Sequence, residues 1–405
     1  MAFFSVFIFI IITLITTIFA FLKHQQSYWK RRGIPHDPPS FPQGNLYPAT
    51  KHMRDITREN YQKYKNVGPF GGFYFFLNPA VIVYDLDLAR DIFIKDFSNF
   101  TSRGLFHNEK DDPLTGNLLS LEGAKWKYMR NKLSPTFTSG KMKFMFPTVV
   151  MVAQRLVDTL GAAIEKNTIL EIKDIVARFT VDVIGTCGFG IECNSLKNPE
   201  AEFREMGEKS LSLKRHNFIV SLFMFSFPDL AQKLRMKQTH DDVEKLKVSH
   251  KFDKVRYKSS YVIIFPLETL RKYPVITNLV RRSINEYPTS NPKFIIPKNS
   301  MVLIPTDAIH HDPEIYPDPE KFDPERFSPE EVQKRHSCSW LPFGEGPRHC
   351  IGLRFGKMQT SIGLAMLIKN YKFSPCEKTP SVLEMNPANI VLTSKGGIYL
   401  RVERI

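Results

Sequence analysis

The sequence predicts a mainly α-helical fold with a small β component, preceded by one transmembrane helix. Apolar residues recur at three- and four-residue steps in several long segments, as they do on the buried face of a helix. Strand signals are short, and most are bounded by Pro, Gly or Asn. The chain opens with twenty uncharged residues, Phe3 to Leu22. We therefore expect one membrane anchor and one large helical domain.

The N-terminal run is long enough to be a membrane anchor, since about 20 helical residues cross a bilayer core of roughly 30 Å. Basic residues follow it at once, at Lys23, Lys30, Arg31 and Arg32, and none precedes it. The positive-inside rule then leaves the rest of the chain in the cytosol. A cleaved signal peptide is the alternative, but it normally has a basic start and a shorter apolar core. We assign residues 1–22 to the anchor.

A basic, proline-rich segment, residues 23–45, connects the anchor to the rest of the chain. Four prolines lie between Gly33 and Asn45, and they favour a stiff, extended conformation. An ordinary surface linker would have the same composition, so only its position indicates a hinge. Residues 46–405 are predicted to form a single domain.

The periodic segments locate the main elements of this domain. Helices are predicted at Val149 to Lys166, Lys173 to Thr186 and Phe355 to Tyr371. Short strands are predicted at Ala80 to Val83 and Met301 to Ile304. Proline is most frequent between Pro305 and Pro329, so an irregular, ordered meander rather than a helix is expected there.

Composition narrows the classes of partner. The net charge is +15, from 56 Lys and Arg against 41 Asp and Glu, which suits nucleic acid, an anionic membrane or an acidic protein. No nucleic-acid-binding signature accompanies the charge, so we expect no nucleic acid partner. The five cysteines include no C-x-x-C pair. A zinc site or disulfide framework is therefore not expected, and a reducing compartment is.

One cysteine lies in a glycine-rich loop with the sequence FGEGPRHCIG, from Phe343 to Gly352. Its glycines, Gly344, Gly346 and Gly352, allow backbone N–H groups to approach the sulfur of Cys350. A helix is predicted directly afterwards, and the start of a helix stabilises a thiolate. Arg348 adds positive charge. A buried structural cysteine in a glycine turn is the alternative reading.

The whole decapeptide resembles the haem-binding signature of the cytochrome P-450 superfamily. This resemblance implies that Cys350 is the axial ligand of the iron of haem b, and that Gly344, Gly346 and Gly352 shape the loop around it. It also implies that Phe343 packs on the proximal side and that Arg348 pairs with a haem propionate. A cytochrome P-450 fold is then expected for the domain.

Two shorter motifs are similar to family motifs with other roles. Glu268 and Arg271 in LETLRKYP can pair on one helix face, and an exposed pair of this kind would contribute little. In the family this E-x-x-R pair joins an arginine of the meander, here Arg326 in FDPERF. The resemblance implies structural support for these three residues rather than catalysis.

Further contacts to the haem propionates are implied at three positions. Trp126 and Arg130 share a helix face in WKYMR, although a core Trp beside a surface Arg would show the same spacing. Arg281 lies eight residues after Tyr273, where the family has another propionate-binding arginine. Arg282 follows directly, and the resemblance alone does not separate the two.

The chain is most similar to the microsomal branch of insects, as in GAKWKYMRNKLSPTFTSGKMKFMFP and AIHHDPEIYPDPEKFDPERF. Membership implies a monooxygenase that inserts one oxygen atom of O2 into apolar xenobiotics or endogenous lipids. Electrons would come from NADPH through NADPH–cytochrome reductase. The expected location is the endoplasmic reticulum membrane, with the domain in the cytosol. A basic patch on this chain would steer the acidic reductase. The patch is formed by Lys127, Arg130, Lys132, Arg354 and Lys357.

The sequence departs from the family in its middle. The family has a long distal helix with a small residue, Gly, any residue, an acid and Thr in order, and this motif is absent. Gly185–Thr186 belongs to an earlier helix, so no catalytic residue can be assigned. We expect an internal deletion near residues 243–260, with the chain short by on the order of a hundred residues. An erroneous gene model, a splice variant and a real deletion would each produce this gap. A catalytically inactive haem-binding remnant is the main alternative function, and an anchored interaction protein without haem is another.

Overall fold

The computed structural model describes residues 2–41, 43–46, 51–205, 215–240, 264–387, 389 and 391–405. It begins with helix α1 (Ala2–Gln26). Within it, Phe3–Gln26 is long and apolar enough to cross a membrane, and its main apolar stretch makes no buried contact with the domain. The helix ends four residues later than the predicted anchor, because Lys23, His24 and the two glutamines after it are all compatible with helix.

The segment that follows α1 is packed against the domain at its start. A short helix, α2 (Tyr28–Arg31), carries Trp29, which is completely buried. The Trp29 indole N–H donates to the Phe73 carbonyl at 3.0 Å, and its backbone N–H donates to the Tyr74 hydroxyl at 3.0 Å. The basic, proline-rich segment therefore begins with a side chain held in the core.

Helices are the main regular elements of the described domain. They are α3 (Met53–Tyr64), α4 (Leu86–Arg90), α5 (Gly123–Leu133), α6 (Ser139–Ile164), α7 (Ile172–Ile184), α8 (Phe218–Ser226), α9 (Pro228–Lys233), α10 (Ile264–Lys272), α11 (Thr306–His310), α12 (Pro329–Lys334) and α13 (Leu353–Asn370). The strands are β1 (Phe70–Phe75), β2 (Asn78–Val83), β3 (Ile169–Glu171), β4 (Leu279–Arg282), β5 (Tyr287–Pro288), β6 (Ile295–Ile296), β7 (Met301–Ile304), β8 (Tyr371–Ser374) and β9 (Tyr399–Arg404).

The largest sheet has the strand order β1-β2-β7-β4. Strands β1 and β2 form an antiparallel hairpin, β2 and β7 run parallel with Ala80 opposite Met301, and β7 and β4 are antiparallel. All six residues of β1 and most of β2 and β7 are buried, so this sheet is the centre of one hydrophobic core. The two predicted strands are confirmed as parts of β2 and β7.

A second core lies between α6, α7 and α13. The buried face of α6 carries Val149, Val152 and Leu156, and the partly buried face of α13 packs against this cluster through Phe355, Met358, Ile362 and Met366. The three predicted helices are confirmed. Helix α6 begins earlier than predicted and continues through Pro147, because Met142 and Met145 before the proline are buried on the same cluster.

Smaller sheets complete the described structure. Strand β8 follows α13 directly and pairs with β9 at the C-terminal end, and β9 also pairs with β3. Strands β5 and β6 form a separate two-stranded sheet.

The predicted meander from Pro305 to Pro329 is mostly irregular but includes the five-residue helix α11. No proline interrupts residues 306–310, and all five of their side chains are buried. The prediction of no helix in this stretch was therefore wrong for this one turn.

Candidate functional site

The cysteine loop is a tight turn that leads into α13. The Cys350 N–H donates to the Phe343 carbonyl at 2.8 Å, and the Gly344 N–H donates to the Leu341 carbonyl at 3.0 Å. Helix α13 begins three residues after Cys350, so the thiol lies beside the free N–H groups of a helix start. All five cysteines are described and free of disulfides, and Cys350 is the exposed one. The structure thus does not show the buried cysteine of the alternative reading.

The other cysteines differ from Cys350 in their surroundings. Cys187 and Cys338 are buried, and burial raises the pKa of each thiol to about 11. Burial also raises the pKa of Cys193 to about 11. These three thiols stay protonated at neutral pH.

Two loop positions require glycine. Gly344 and Gly346 have φ angles of +70° and +72°, in the left-handed region that side chains with a Cβ rarely adopt. At Gly346 a Cβ would also collide with the carbonyl oxygen of Phe93. The third glycine, Gly352, has φ −87° and precedes α13. A Cβ there would lie 4.0 Å from the Cys350 sulfur, in ordinary contact.

Trp126 and Arg348, predicted from separate motifs, are brought together. The Arg348 guanidinium lies 4.3 Å from the centroid of the Trp126 ring, a cation–π contact between α5 and the loop. Its Nη2 donates to the Leu121 carbonyl at 2.7 Å, whereas Nε and Nη1 have no hydrogen-bond partner. Arg348 is buried, so these two free donors cannot bind bulk water instead.

Two buried arginines, Arg281 and Arg348, and the partly buried Arg103 form a cluster beside the cysteine loop. Burial, followed by repulsion from Arg103, lowers the pKa of Arg281 to about 9 and that of Arg348 to about 9. Burial and the charge of Arg130 lower the pKa of Arg103 to about 10. The Cys350 charge opposes this effect on Arg103 and Arg130, which places the sulfur close to both.

The cluster has free donors and an excess of positive charge. Arg281 Nε, like two nitrogens of Arg348, has no partner. The neighbouring acid, Glu122, accepts instead from the Ser102 hydroxyl and from the Gly104 N–H at 3.2 Å. Buried cations with unused N–H groups are costly unless an anion joins them. Two carboxylates at this point would satisfy them, and the site therefore fits the propionates of a haem.

The two adjacent arginines of β4 have different roles. Arg281 is buried, with its guanidinium 4.8 Å from the Phe93 ring centroid. Arg282 points to the other side of the strand and pairs with Asp229 at 3.0 Å, as neighbouring strand residues do. Of the two, Arg281 is the residue that belongs to the cluster.

Arg130 and Arg103 hold the backbone of the cysteine loop. Arg130 Nη1 donates to the His349 carbonyl at 2.8 Å, and Arg103 Nη2 donates to the Arg348 carbonyl at 3.0 Å. Arg130 was predicted to bind a propionate, and here its nearest partner is the residue beside Cys350. Arg103 was not singled out from the sequence, because its segment could equally be a solvated surface loop. The neighbouring Gly104, with φ +65°, was the available signal that this loop is constrained.

The predicted support residues also meet. Arg271 donates to both carboxylate oxygens of Glu268 at 2.7 and 2.8 Å, and both side chains are 0% exposed. Arg326 Nε lies 3.7 Å from the Glu268 carboxylate. Arg271 donates further to the carbonyls of His310 and Pro319, each at 2.8 Å. The pair thus ties α10 to the meander.

The remaining predicted residues lie around the loop. Phe343 is partly buried, with its ring 6.0 Å from that of Trp340. Lys357 lies over Trp340 at 5.4 Å, and burial lowers its pKa, so it is not a free surface charge. Lys127 and Lys132 are exposed on α5, and Arg354 is exposed at the start of α13.

Gly185–Thr186 follows α7 directly, in the turn Gly185–Phe189. The expected deletion near 243–260 lies outside the described residues.

Comparison with known proteins gives one consistent result. The family model described as cytochrome P-450 matches residues 35–260 and 265–401. Cytochrome P-450 6a8 of Drosophila melanogaster is 40% identical over 495 aligned positions, covering 97% of this chain and 98% of that protein. Cytochrome P-450 6A1 of Musca domestica is 38% identical over 484 positions, covering 95% of each.

These alignments are longer than the chain itself. With 405 residues in the chain, at least 90 of the 495 positions aligned with the Drosophila protein hold no residue of this chain. The two stretches matched by the family model are separated only by residues 261–264.

Proposed function

The chain belongs to the cytochrome P-450 family of monooxygenases, and from that premise we propose that it oxidises apolar small molecules with haem b held by Cys350. When bound, haem supplies O2 activation, and its thiolate ligand favours O–O cleavage. One oxygen atom would enter the substrate and the other would leave as water, with two protons from solvent and two electrons from NADPH through a reductase. Foreign compounds and endogenous lipids are the proposed substrate classes.

The observation that carries this proposal is the pairing of an exposed thiol with a cluster of buried cations. Cys350 is exposed at the start of α13, and Arg281 and Arg348 nearby keep unpartnered N–H groups. A thiolate ligand and two carboxylate-binding sites at one place are what a haem requires. A structural cysteine would need neither of these features.

The chain's own residues have distinct tasks in this proposal. The carbonyl of Phe343 accepts from the Cys350 N–H and sets the direction of the sulfur. The α13 N-terminus places free backbone N–H groups beside Sγ of Cys350. Trp126 stacks on Arg348 and orients its free donors toward the propionates. Phe343 and Trp340 limit the access of water to the proximal side.

We propose that the enzyme lies in the endoplasmic reticulum membrane with its domain in the cytosol. The apolar helix α1 supports a membrane anchor. The basic residues that follow its apolar stretch, including Lys23 and Arg31, support a cytosolic domain. The proposed electron donor is NADPH–cytochrome reductase, since an acidic partner would be attracted to the exposed Lys127 and Lys132 on α5.

A second candidate function, a haem-binding chain without turnover, is favoured by one specific observation. The family match is interrupted at residues 261–264, and at least 90 aligned positions of a relative have no counterpart in the 405-residue chain. The distal acid–Thr motif is missing from the sequence. An internal deletion there would remove the residues that handle protons on the oxygen side. A haem would still be held, because the proximal residues are present.

The haem assignment is tested by the spectrum of the reduced protein with carbon monoxide. The full chain in detergent should show the red-shifted Soret band of thiolate ligation. Cys350→Ser should lose this band, whereas Cys376→Ser, at a half-buried cysteine outside the loop, should keep it. A band at the position typical of histidine ligation in the unaltered chain would refute the Cys350 assignment.

Turnover separates the two functions. The chain and a version with the relatives' segment inserted at residues 261–264 are compared with NADPH, reductase and an apolar probe substrate. Product formed by the unaltered chain establishes the monooxygenase and refutes the inactive remnant. Product formed only after insertion establishes that the unaltered chain is the inactive remnant. Sequencing the transcript across residues 240–265 shows whether the cell makes this form.

A further inference from the structure

His310 is a buried histidine that none of the predicted site motifs includes. It is the last residue of α11 and is 0% exposed. Its ring packs edge-on against Tyr316, with the ring centroids 6.5 Å apart. A buried histidine needs partners for both ring nitrogens, so its contacts define what it connects.

Both ring nitrogens bind backbone groups from distant parts of the chain. The Leu341 N–H donates to His310 Nε2 at 2.9 Å. His310 Nδ1 lies 3.1 Å from the Arg271 carbonyl, which can only accept. Nδ1 must therefore carry the proton and Nε2 must be bare, which is one neutral tautomer. Burial lowers the pKa of His310 to about 3, in agreement with a neutral ring.

The contact with Arg271 is reciprocal. The Arg271 side chain donates to the His310 carbonyl at 2.8 Å, while the His310 side chain donates to the Arg271 carbonyl. The two residues are 39 positions apart in sequence. Since Arg271 is also bound to Glu268, the His310 ring is hydrogen-bonded to one member of the buried ion pair of α10.

On its other side, the ring reaches the base of the cysteine loop. The N–H of Leu341 binds His310, and the carbonyl of Leu341 accepts from Gly344. Gly344 follows Phe343, whose carbonyl accepts from the Cys350 N–H. A continuous series of hydrogen bonds and backbone thus leads from the Glu268–Arg271 pair to the residue that carries the thiol.

We propose that His310 is a positioning residue that transmits the fixed geometry of the Glu268–Arg271 pair to the cysteine loop through the Leu341 N–H. Without it, a buried donor and a buried acceptor would both lose their partners, and the cheapest relief is for the loop to move. The proposal rests on the function proposed for Cys350, but the hydrogen bonds themselves can be tested without haem.

The test uses three substitutions of one side chain. His310→Phe keeps a ring but removes both hydrogen bonds. His310→Asn keeps a short amide that can still reach the Arg271 carbonyl but not Leu341. His310→Gln carries one donor and one acceptor on a longer arm and can restore both. His311→Phe is the control, because His311 is the neighbouring buried histidine and its Nδ1 contacts Asp307, four residues earlier, through the carbonyl at 2.8 Å and the carboxylate at 3.7 Å.

Amide hydrogen exchange of peptides covering residues 341–350 is measured with and without haem, together with the carbon monoxide spectrum. His310→Phe and His310→Asn should exchange about tenfold faster in this segment, and part of the haem should lose the thiolate band. His310→Gln and His311→Phe should match the unaltered chain in both readouts.

The proposal is overturned if His310→Asn leaves exchange in residues 341–350 unchanged, or if His310→Gln fails in the same way as His310→Phe. Should His310→Phe not fold, the comparison of the Asn and Gln variants still decides. If the unaltered chain shows no thiolate band, the proposed function fails, while the exchange rates still establish or exclude the bridge.

Discussion

At the scale of single residues, the site is defined by charges that the fold leaves without partners. Arg281 and Arg348 are buried and carry free N–H groups. Burial, followed by repulsion from Arg103, lowers the pKa of each. Such a group of side chains destabilises a chain unless it binds an anion. Stability and haem binding should therefore respond in opposite directions when one of these charges is removed.

Arg281→Met tests this opposition. We expect haem to leave about tenfold faster, because a charge-assisted contact to a propionate is lost. The apoprotein should unfold at the same or a higher temperature, since a repelled, buried cation has been removed. Haem transfer to apomyoglobin and thermal unfolding of the apoprotein measure the two effects.

Arg282→Met is the matched control, because this neighbour pairs with Asp229 at the surface. It should leave the rate of haem loss unchanged. Loss of apoprotein stability in Arg281→Met comparable to a buried hydrogen-bond defect would contradict the account of Arg281 as an unsatisfied cation.

A buried histidine makes stability depend on pH. His311 has its pKa lowered to about 3, first by burial and then by the charge of Arg58, against about 6.5 in an unfolded chain. Between these values the unfolded chain binds a proton that the folded chain does not. Stability is thus fully present above pH 6.5 and is lost as the pH falls toward 3, by up to about 1.4 kcal/mol per pH unit.

His311→Gln should reduce this slope, as measured by urea unfolding between pH 7.5 and pH 5. The buried Asp307 has a raised pKa and acts in the opposite sense, so the informative quantity is the difference between the variant and the unaltered chain. Parallel curves for the two proteins would show that His311 is not held neutral by the fold.

At the scale of elements, the loop and helix α13 work as one unit. The loop turns sharply at two glycines with positive φ and then delivers Cys350 to the start of α13. Helix α13 is held in turn by its packing on α6 and α7. The position of the sulfur therefore depends on a backbone conformation and not only on the thiol.

Gly346→Ala should displace the loop, because its φ of +72° is unfavourable for alanine and a Cβ would meet the Phe93 carbonyl. We expect a loss of about 1–3 kcal/mol of stability and of most of the thiolate band. The thermal midpoint and the carbon monoxide spectrum report these changes.

Gly356→Ala, ten residues later, is the control within the same unit. This glycine lies inside α13 with open space where the Cβ would be, so alanine should stabilise the helix by up to about 1 kcal/mol. If Gly346→Ala behaves like Gly356→Ala, the left-handed conformation of the loop is not needed for the site.

At the scale of the whole molecule, charge and anchor act together. The surplus of basic residues gives a net charge of +15, which favours both an anionic membrane and an acidic partner. Lys127 is exposed on α5, the helix whose Arg130 contacts the cysteine loop, whereas Lys357 is occupied with Trp340. Lys127 is therefore the better probe of partner docking, and reversal at Lys357 would disturb the loop as well.

Lys127→Glu should slow the first electron transfer from the reductase severalfold at low ionic strength, with little effect at high salt. The haem spectrum should not change. Stopped-flow reduction under carbon monoxide measures the rate, in a chain that carries the inserted distal segment.

Lys372→Glu makes the same charge change at a remote point. Residue 372 lies beyond the end of the 18-residue helix α13, about 27 Å of helix from the cysteine loop. Equal effects of the two substitutions would indicate a general response to net charge and exclude a docking site at Lys127.

Much of the fold follows from local pattern in the sequence. The apolar run of α1, the periodic faces of α6, α7 and α13, and the strands within β2 and β7 were all predicted, because amphipathic repeats report on a single buried face. Helix α11 was missed, since its five residues are held by burial rather than by a repeat. The start of α6 was placed too late, since the helix begins at Ser139 and continues through Pro147.

The sequence by itself determined which residues the site could use. The loop decapeptide, the E-x-x-R pair and the W-x-x-x-R spacing identify Cys350, Arg348, Glu268, Arg271 and Trp126, because their chemistry needs set spacings along one loop or helix. Family membership was implied by the same residues and is shown by the comparisons.

Only the tertiary structure decided between alternatives that are equal in sequence. It distinguishes Arg281 from Arg282, places Arg103 in the cluster, and shows His310 between Arg271 and Leu341. These outcomes depend on burial and on hydrogen bonds between segments far apart in the chain. No local spacing encodes such contacts, because they arise only when separate elements pack together and exclude water from the polar groups between them.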